Sequence, residues 1–518
     1  MLTFTSLPNE CESEIFEHLV DDRPSLYNCL FVNRFWCKNI VPLLWRKPFN
    51  YRVPKAHLSI RTYLSALNVE EQRTLIPFKF GYNQTPLLFE YGAYLENFNC
   101  GLLFNVASVW LKSEGHNEVE YGYRCQAVVR AITKMLMRTC RNLKSLNLAS
   151  AIEVPNSSIF KSSHYGLSKL VELSLCLENN SSTNKQALEI LSYLSSICRN
   201  LRKTHFIVRE EINPLPVKSI DSLVSLISNQ HNLKIFDLYQ AEKSASRIIS
   251  SLQFQQDSLT TIFFSSINFS KISDSSLEVL IKCKNIVQIK LIYCDSISLD
   301  QVEILSRSQF TPKVLILNQN TFSMDIAPAL IKIWGLKLKH LDFDQLTQEI
   351  VDSVTNHCLN LSKLTIKGSF DNLDSILPWI KKSRLKAFSL ERTVFRGRLY
   401  GKEDLDPVFT DLGKNLPNSL NYLRIKGCKL MENALEQILG NCQLKLLETL
   451  LIQPVMEPIE PRHLTYIKNF LRRNKSVKKV EINFHNINKN WGEDEERIFN
   501  EIRRELGIEI ITTEVFNS

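Results

Sequence analysis

Three groups of residues in this sequence have types and spacings that could do chemistry. His340-x-Asp342-x-Asp344 sets an imidazole and two carboxylates on alternate positions, a donor set able to bind a divalent metal. Thirteen cysteines could supply thiolates for zinc or for nucleophilic attack. The stretch RHLTYIKNFLRRNKSVKK (462–479) holds seven basic residues, Arg462, Lys468, Arg472, Arg473, Lys475, Lys478 and Lys479, with no acid among them. Such a run suits nucleic acid or a phosphorylated partner.

Each group also has a plainer reading. Side chains at i and i+2 of a strand stand about 7 Å apart, too far for compact chelation without help, so no metal site is expected. The cysteines contain no C-x-x-C pair, and an odd, scattered set suits reduced thiols better than a disulfide framework. The basic run reads as the solvated side of a helix, balanced by Glu493, Asp494, Glu495 and Glu496 soon after. Lys381, Lys382, Arg384 and Lys386 read as a surface turn. Nucleotide-binding, zincin and nucleophile-elbow motifs are missing, so the pattern points to binding rather than catalysis, with no cofactor.

The elements that position these residues emerge from a repeat. CRNLKSLNL (140–148) returns as CRNLRKTHF (198–206), CKNIVQIKL (283–291) and CLNLSKLTI (358–366). The common core is L-x-x-L-x-L with apolar substitutions. Its last anchor falls on Leu148, Leu175, Phe206, Leu238, Phe264, Leu291, Leu317, Phe343, Ile366, Leu390, Ile425, Ile452 and Ile482. The spacing averages about 28 residues, near the range of leucine-rich repeats. Segments between anchors, such as DSLVSLISNQ (221–230) and ENALEQILGNC (432–442), carry apolar residues at helical spacing. Each unit therefore reads as strand, turn and helix. No unit can bury its apolar face alone, so neighbours stack into a curved solenoid with strands on the concave side. Cys140, Cys198, Cys283 and Cys358 share one register, which makes them packing residues. This register resembles the cysteine-containing class of leucine-rich repeats.

The first 49 residues follow another pattern. Ser6-Leu7-Pro8 suits a helix start, with Glu10, Glu12 and Glu14 near its positive end. Cys11, Ile15, Phe16, Leu19 and Val20 make one apolar stripe; Leu26, Cys29, Leu30, Val32, Phe35, Trp36 and Ile40 make a second. So short a segment cannot hide all of these internally. The surplus serves either an interface or a cap on the solenoid. The same residues lack the apolar run of a secretory signal, and GLLFNVASVWL (101–111) is too short to span a bilayer. A cytoplasmic or nuclear protein, with no membrane partner, is expected.

Residues 4–49 resemble an F-box. Leu7-Pro8 is followed by E-x-x-x-x-I-F-x-x-L (Glu10 to Leu19), V-x-x-x-W (Val32 to Trp36) and Leu44-Trp45-Arg46, in the family's order and spacing. Glu12 departs from the pattern, standing where many members carry an apolar residue. The resemblance implies binding to a Skp-type adaptor, and through it to a cullin, a RING subunit and a ubiquitin-conjugating enzyme. By the motif match, Leu7, Pro8, Ile15, Leu19, Val32 and Trp36 face the adaptor, and Trp45 belongs to the core. An F-box ahead of leucine-rich repeats is a known family arrangement and resembles the whole chain.

The expected fold class is thus α/β: an α-helical F-box (1–49), a mainly helical connector with room for degenerate repeats (50–139), and a right-handed, curved leucine-rich-repeat solenoid (140–518). The expected function is that of a non-catalytic substrate adaptor of an SCF-type ubiquitin ligase. The alternatives are an interaction scaffold without a ubiquitination role and a nucleic-acid-associated protein using the basic C-terminal run; nucleic acid is the less expected partner. Residues flanking each anchor should point outward on the concave face and read a protein substrate. These are His205, Asp237 and Tyr239, then Phe263 and Lys290, then His340, Asp342 and Asp344. Lys363 and Lys367 follow, then Tyr422, Arg424 and Lys426.

Overall fold

The apolar anchors form the inner face of parallel β ladders. The computed structural model describes residues 8–49, 55–78, 80, 86–115, 121–149, 156–161, 164–179, 183–210, 214–369, 372–391, 406–426, 434–453, 461–484, 493–506 and 509–514. They belong to two units, 1–259 and 260–518. In the first unit, three N-terminal helices, α1 (Asn9–His18), α2 (Arg23–Cys29) and α3 (Arg34–Trp45), precede α4 (Ser59–Ser65), α5 (Val69–Arg73), α6 (Cys100–Ser113) and α7 (Tyr121–Thr139). Strands β1 (Asn97–Asn99), β2 (Ser145–Asn147), β3 (Glu172–Glu178), β4 (Lys203–Arg209) and β5 (Ile235–Tyr239) pair in chain order, all parallel.

The second unit repeats this plan. It contains β6 (Thr261–Ser265), β7 (Gln288–Ile292), β8 (Val314–Asn318), β9 (His340–Gln345) and β10 (Lys363–Ser369). These are followed by β11 (Ala387–Glu391), β12 (Tyr422–Lys426), β13 (Thr449–Gln453), β14 (Lys479–Phe484) and β15 (Glu509–Glu514). Each pairs in parallel with the next. Parallel neighbours require a crossover, and helices such as Gln348–His357 and Pro461–Arg473 supply it.

Register follows the anchors. Leu175, Phe206 and Leu238 stand opposite one another, as do Phe264, Leu291, Leu317, Phe343, Ile366, Leu390, Ile425, Ile452 and Ile482. All are buried. The pleat sends the intervening residues to the opposite face, where most are half-buried. The result is a strand–helix repeat solenoid behind a helical N-terminal module. Strands β1 and β15 extend the ladders beyond the thirteen anchors, and β1 lies within the stretch expected as connector.

Recurrent polar devices hold the repeats together. Gln230 accepts from Leu201 N–H and donates to the carbonyls of Cys198 and Leu226; Gln255 accepts from Leu233 N–H and donates to those of Ile227 and Gln230. Both side chains are buried, so each amide meets the polar groups of an adjoining turn away from water. The repeat cysteines are packing residues. Cys198 and Cys294 donate to the carbonyls of Leu167 and Phe264, and burial pushes both thiols up to about 12. Gly368 (φ +84) is needed where β10 shifts register against β9: a Cβ there would lie 2.2 Å from the Asp344 carbonyl oxygen. Among the described residues, no helix is long and apolar enough to cross a membrane.

Candidate functional site

The N-terminal helices build a small core and leave apolar side chains outside it. Pro8 stands at the N-cap of α1, one residue earlier than a first-turn position. Asp22 and Asn33 cap α2 and α3, accepting from Ser25 N–H at 3.2 Å and Trp36 N–H at 2.8 Å. Phe16, Leu26, Ile40 and Leu43 form the core, with Leu19, Val20, Cys29, Leu30, Trp36 and Leu44 packed against it. The Trp36 ring meets Phe16 edge-on at 5.0 Å.

This arrangement divides the residues expected at the adaptor interface. Ile15 (39% exposed), Val32 (57%) and Pro8 face outward, whereas Leu19 and Trp36 are largely occupied by core packing. Leu7 lies outside the described residues. Tyr27, Phe31 and Phe35 are also exposed, Phe31 to 74%, and were not singled out from the sequence as interface residues. The helical period set Phe35 on one apolar stripe with Leu26 and Ile40 without saying which of them stays outside. The turn at 30–33 between α2 and α3 instead breaks that stripe into two faces. Glu12 is buried, and its Oε2 has no hydrogen-bond partner.

At its C-terminal end the module continues into the ladder. The carbonyl of Arg46 accepts the N–H groups of Glu96 and Asn97, both at 3.1 Å. The carbonyl of Glu96 accepts from Lys144 and Ser145, and that of Lys144 from Val171 and Glu172. Arg46 thus occupies the position that the residue before each strand occupies for the next. Its guanidinium forms two bonds to Glu17 of α1, at 2.6 and 2.8 Å, which hold that carboxyl below its usual range. Trp45 packs on Tyr63 and Tyr91, with ring centroids at 5.2 and 4.3 Å. The same helices therefore present an apolar surface and cap the first ladder.

The expected substrate residues all fall on strands and project from the open face of the sheets. In the first unit, His205 Nδ1 lies 3.7 Å from the Asp237 carboxylate and its ring 4.3 Å from that of Tyr239. In the second, Lys290 sits 5.6 Å from the centroid of Phe263. Asp342 pairs with Lys367 at 3.0 Å, and Arg424 with Glu391 at 3.0 Å. Asp344 accepts from Gln319 N–H, and burial pushes its carboxyl up to about 6. Asp237 and Asp342 are buried by these neighbours, while Lys363, Tyr422 and Lys426 are half-buried. His340, Asp342 and Asp344 share a face, but among the described residues no group of three or more metal-type ligands converges.

An F-box-like family profile matches residues 4–51. Residues 4–51 are an F-box-like domain. No curated protein sequence matches the chain. Among solved structures, it is similar to a chain from the Rad7 and Elc1 complex in yeast, with 17% identity, a TM-score of 0.40, and coverage of 74% of this chain and 83% of that one. It is also similar to a chain from the TLR13–ssRNA13 complex (15% identity, TM-score 0.32, covering 67% and 44%) and to a Bacteroides fragilis protein (14%, 0.32, 54% and 76%).

The basic run that follows the F-box and most of the repeats is less open than its composition suggests. In the helix Pro461–Arg473, Lys468 pairs with Glu501 of the following helix, and beyond it Lys478 pairs with Glu448 at 2.8 Å. Glu501 and Glu448 thus balance two of its charges.

Proposed function

We propose that the chain is the substrate-recognition subunit of an SCF-type cullin–RING ubiquitin ligase. The F-box binds a Skp-type adaptor through its exposed apolar side chains, and the open sheet face holds a protein substrate. The observation that carries this reading is the F-box-like match at 4–51 over helices that leave Ile15, Tyr27, Phe31, Val32 and Phe35 outside their own core. Exposed apolar groups of this size, with the Tyr27 and Phe31 rings in edge contact at 5.4 Å, favour a protein partner. The chain's contribution to ubiquitin transfer is proximity: it raises the effective concentration of a substrate lysine near the charged carrier. The joint at Arg46 serves this role, because hydrogen bonds fix the F-box to the first repeat.

Co-purification of the full chain with a Skp-type adaptor, with wild type beside Ile15→Asp/Val32→Asp, tests the reading. The wild type should form a stable complex and the variant should not, while both keep the same melting temperature. Failure of the folded wild type to bind any Skp-type adaptor would remove the ligase reading and leave the helices as a cap.

A further inference from the structure

The sequence from Arg23 to Val69 contains eight Lys or Arg residues and no Asp or Glu. Arg46 and Arg61 find carboxylates elsewhere in the fold, on Glu17 and Glu96 and on Glu114. Arg23 and Lys55 find none among the described residues, and both line one cavity.

The cavity has a volume of about 680 Å³, within the range of small-molecule sites. It is lined by α2, the end of α3, the turn Ala56–Leu58 and α4. Pro24, Leu30, Leu44, Ala56 and Leu58 give it an aliphatic wall, and Leu58 leaves 47% of its surface in water. Arg23 and Lys55 are the charged residues among the described ones that line it.

Both cations are held at a cost. Arg23 is half-buried, and its Nη2 donates to the carbonyls of Leu44 and Lys47 at 3.0 and 3.4 Å. Its Nε and Nη1 have no protein acceptor among the described residues. Burial pulls its guanidinium below the ordinary arginine range, and no carboxylate offsets that loss of hydration. Lys55 keeps a left-handed backbone (φ +57) at the head of the turn Ala56–Leu58, a conformation unfavourable for a residue with a Cβ. An occupant that complements the cavity therefore carries negative charge at one end and apolar surface along the rest.

We propose that this cavity binds a small amphiphilic anion, with a carboxylate or phosphate group held by Arg23 and Lys55. Its alkyl chain lies against Leu30, Leu44 and Leu58. The charged end gains hydrogen bonds from donors that lack acceptors, and the chain removes aliphatic wall from water. Tyr27 also lines the cavity and is among the exposed residues of the F-box, so the adaptor is the competing occupant.

The test is calorimetric titration of the full chain with octanoate, octyl phosphate, octanol and inorganic phosphate. At least one of the two amphiphilic anions should bind, one per chain, and octanol and inorganic phosphate should bind at least roughly tenfold more weakly. Which anion binds more tightly separates carboxylate from phosphate recognition. Arg23→Gln/Lys55→Gln should weaken the binding roughly tenfold or more. Because Arg23 also holds two carbonyls, Ala56→Trp serves as a second variant: it fills the cavity, keeps both cations and should abolish binding. Repeating the titration after saturation with a Skp-type adaptor should give the same affinity. Neither anion binding, octanol binding as tightly as the anions, a folded variant binding as wild type, or loss of binding in the adaptor complex would each overturn the proposal.

Discussion

The F-box surface and the open face of the second ladder present opposite chemistry. Around α1 to α3, a core of four large side chains leaves Ile15, Phe31 and Val32 in water. On β8 to β11, the apolar anchors point inward in register, and charged and polar groups in local pairs, such as Asp342 with Lys367 and Glu391 with Arg424 of β12, lie on the other face. A surface of the first kind gains affinity by removing apolar area from water and is little affected by salt. One of the second kind gains association rate and discrimination from charge, both of which salt screens. The two surfaces thus differ in how salt should affect whatever they bind.

The largest change that breaks this comparison is a charge placed on the apolar side. Ile15→Asp/Val32→Asp is expected to weaken adaptor binding by about 3 kcal/mol or more, roughly a hundredfold, at any salt concentration, as read by calorimetry. Phe16→Ala acts beneath the same surface. It should cost about 3–5 kcal/mol of stability through the cavity it leaves, seen as early loss of F-box helicity on heating. Next is Gln230→Ala, which orphans Leu201 N–H and two carbonyls inside the first ladder. A loss of roughly 1–3 kcal/mol in denaturant unfolding is expected.

A smaller effect sharpens the charged side. The Asp344 carboxyl titrates at about 6 in the fold because burial disfavours its charge. A folded value above the unfolded one means that its stabilising share is full below about pH 4 and is lost as pH rises through about 6. Asp344→Asn keeps an oxygen to accept from Gln319. It should therefore add on the order of 2 kcal/mol of stability near neutral pH, seen as a higher melting temperature, and add none near about pH 4. The smallest effect belongs to Glu17→Gln, which weakens a partly exposed pair with Arg46 and should cost under about 1 kcal/mol.

Much of the ladder was legible because an apolar residue recurring every repeat must face the core. Thirteen anchors therefore located thirteen strands and their register. The two end strands lacked that signal. Phe98 is the sole apolar residue of β1, and in β15 Thr512 stands opposite Ile482 where an anchor would be. At the F-box, periodicity identified which residues are apolar but not which of them stay outside. That depends on the break between α2 and α3, which turns Val32 and Phe35 away from Leu26 and Ile40. The joint at Arg46 is made by a backbone carbonyl, and a carbonyl leaves no mark on residue identity. The pairing of Lys468 with Glu501 was likewise hidden, since it depends on two helices meeting across the fold.

Titrating a Skp-type adaptor into the full chain at low and high salt tests the central claim most directly, with wild type, Ile15→Asp/Val32→Asp and Lys339→Glu/Lys363→Glu measured side by side. The account predicts tight, salt-insensitive binding by wild type and by the lysine variant, and none by the apolar-surface variant. Equal binding by all three folded proteins, or none by wild type, would contradict it.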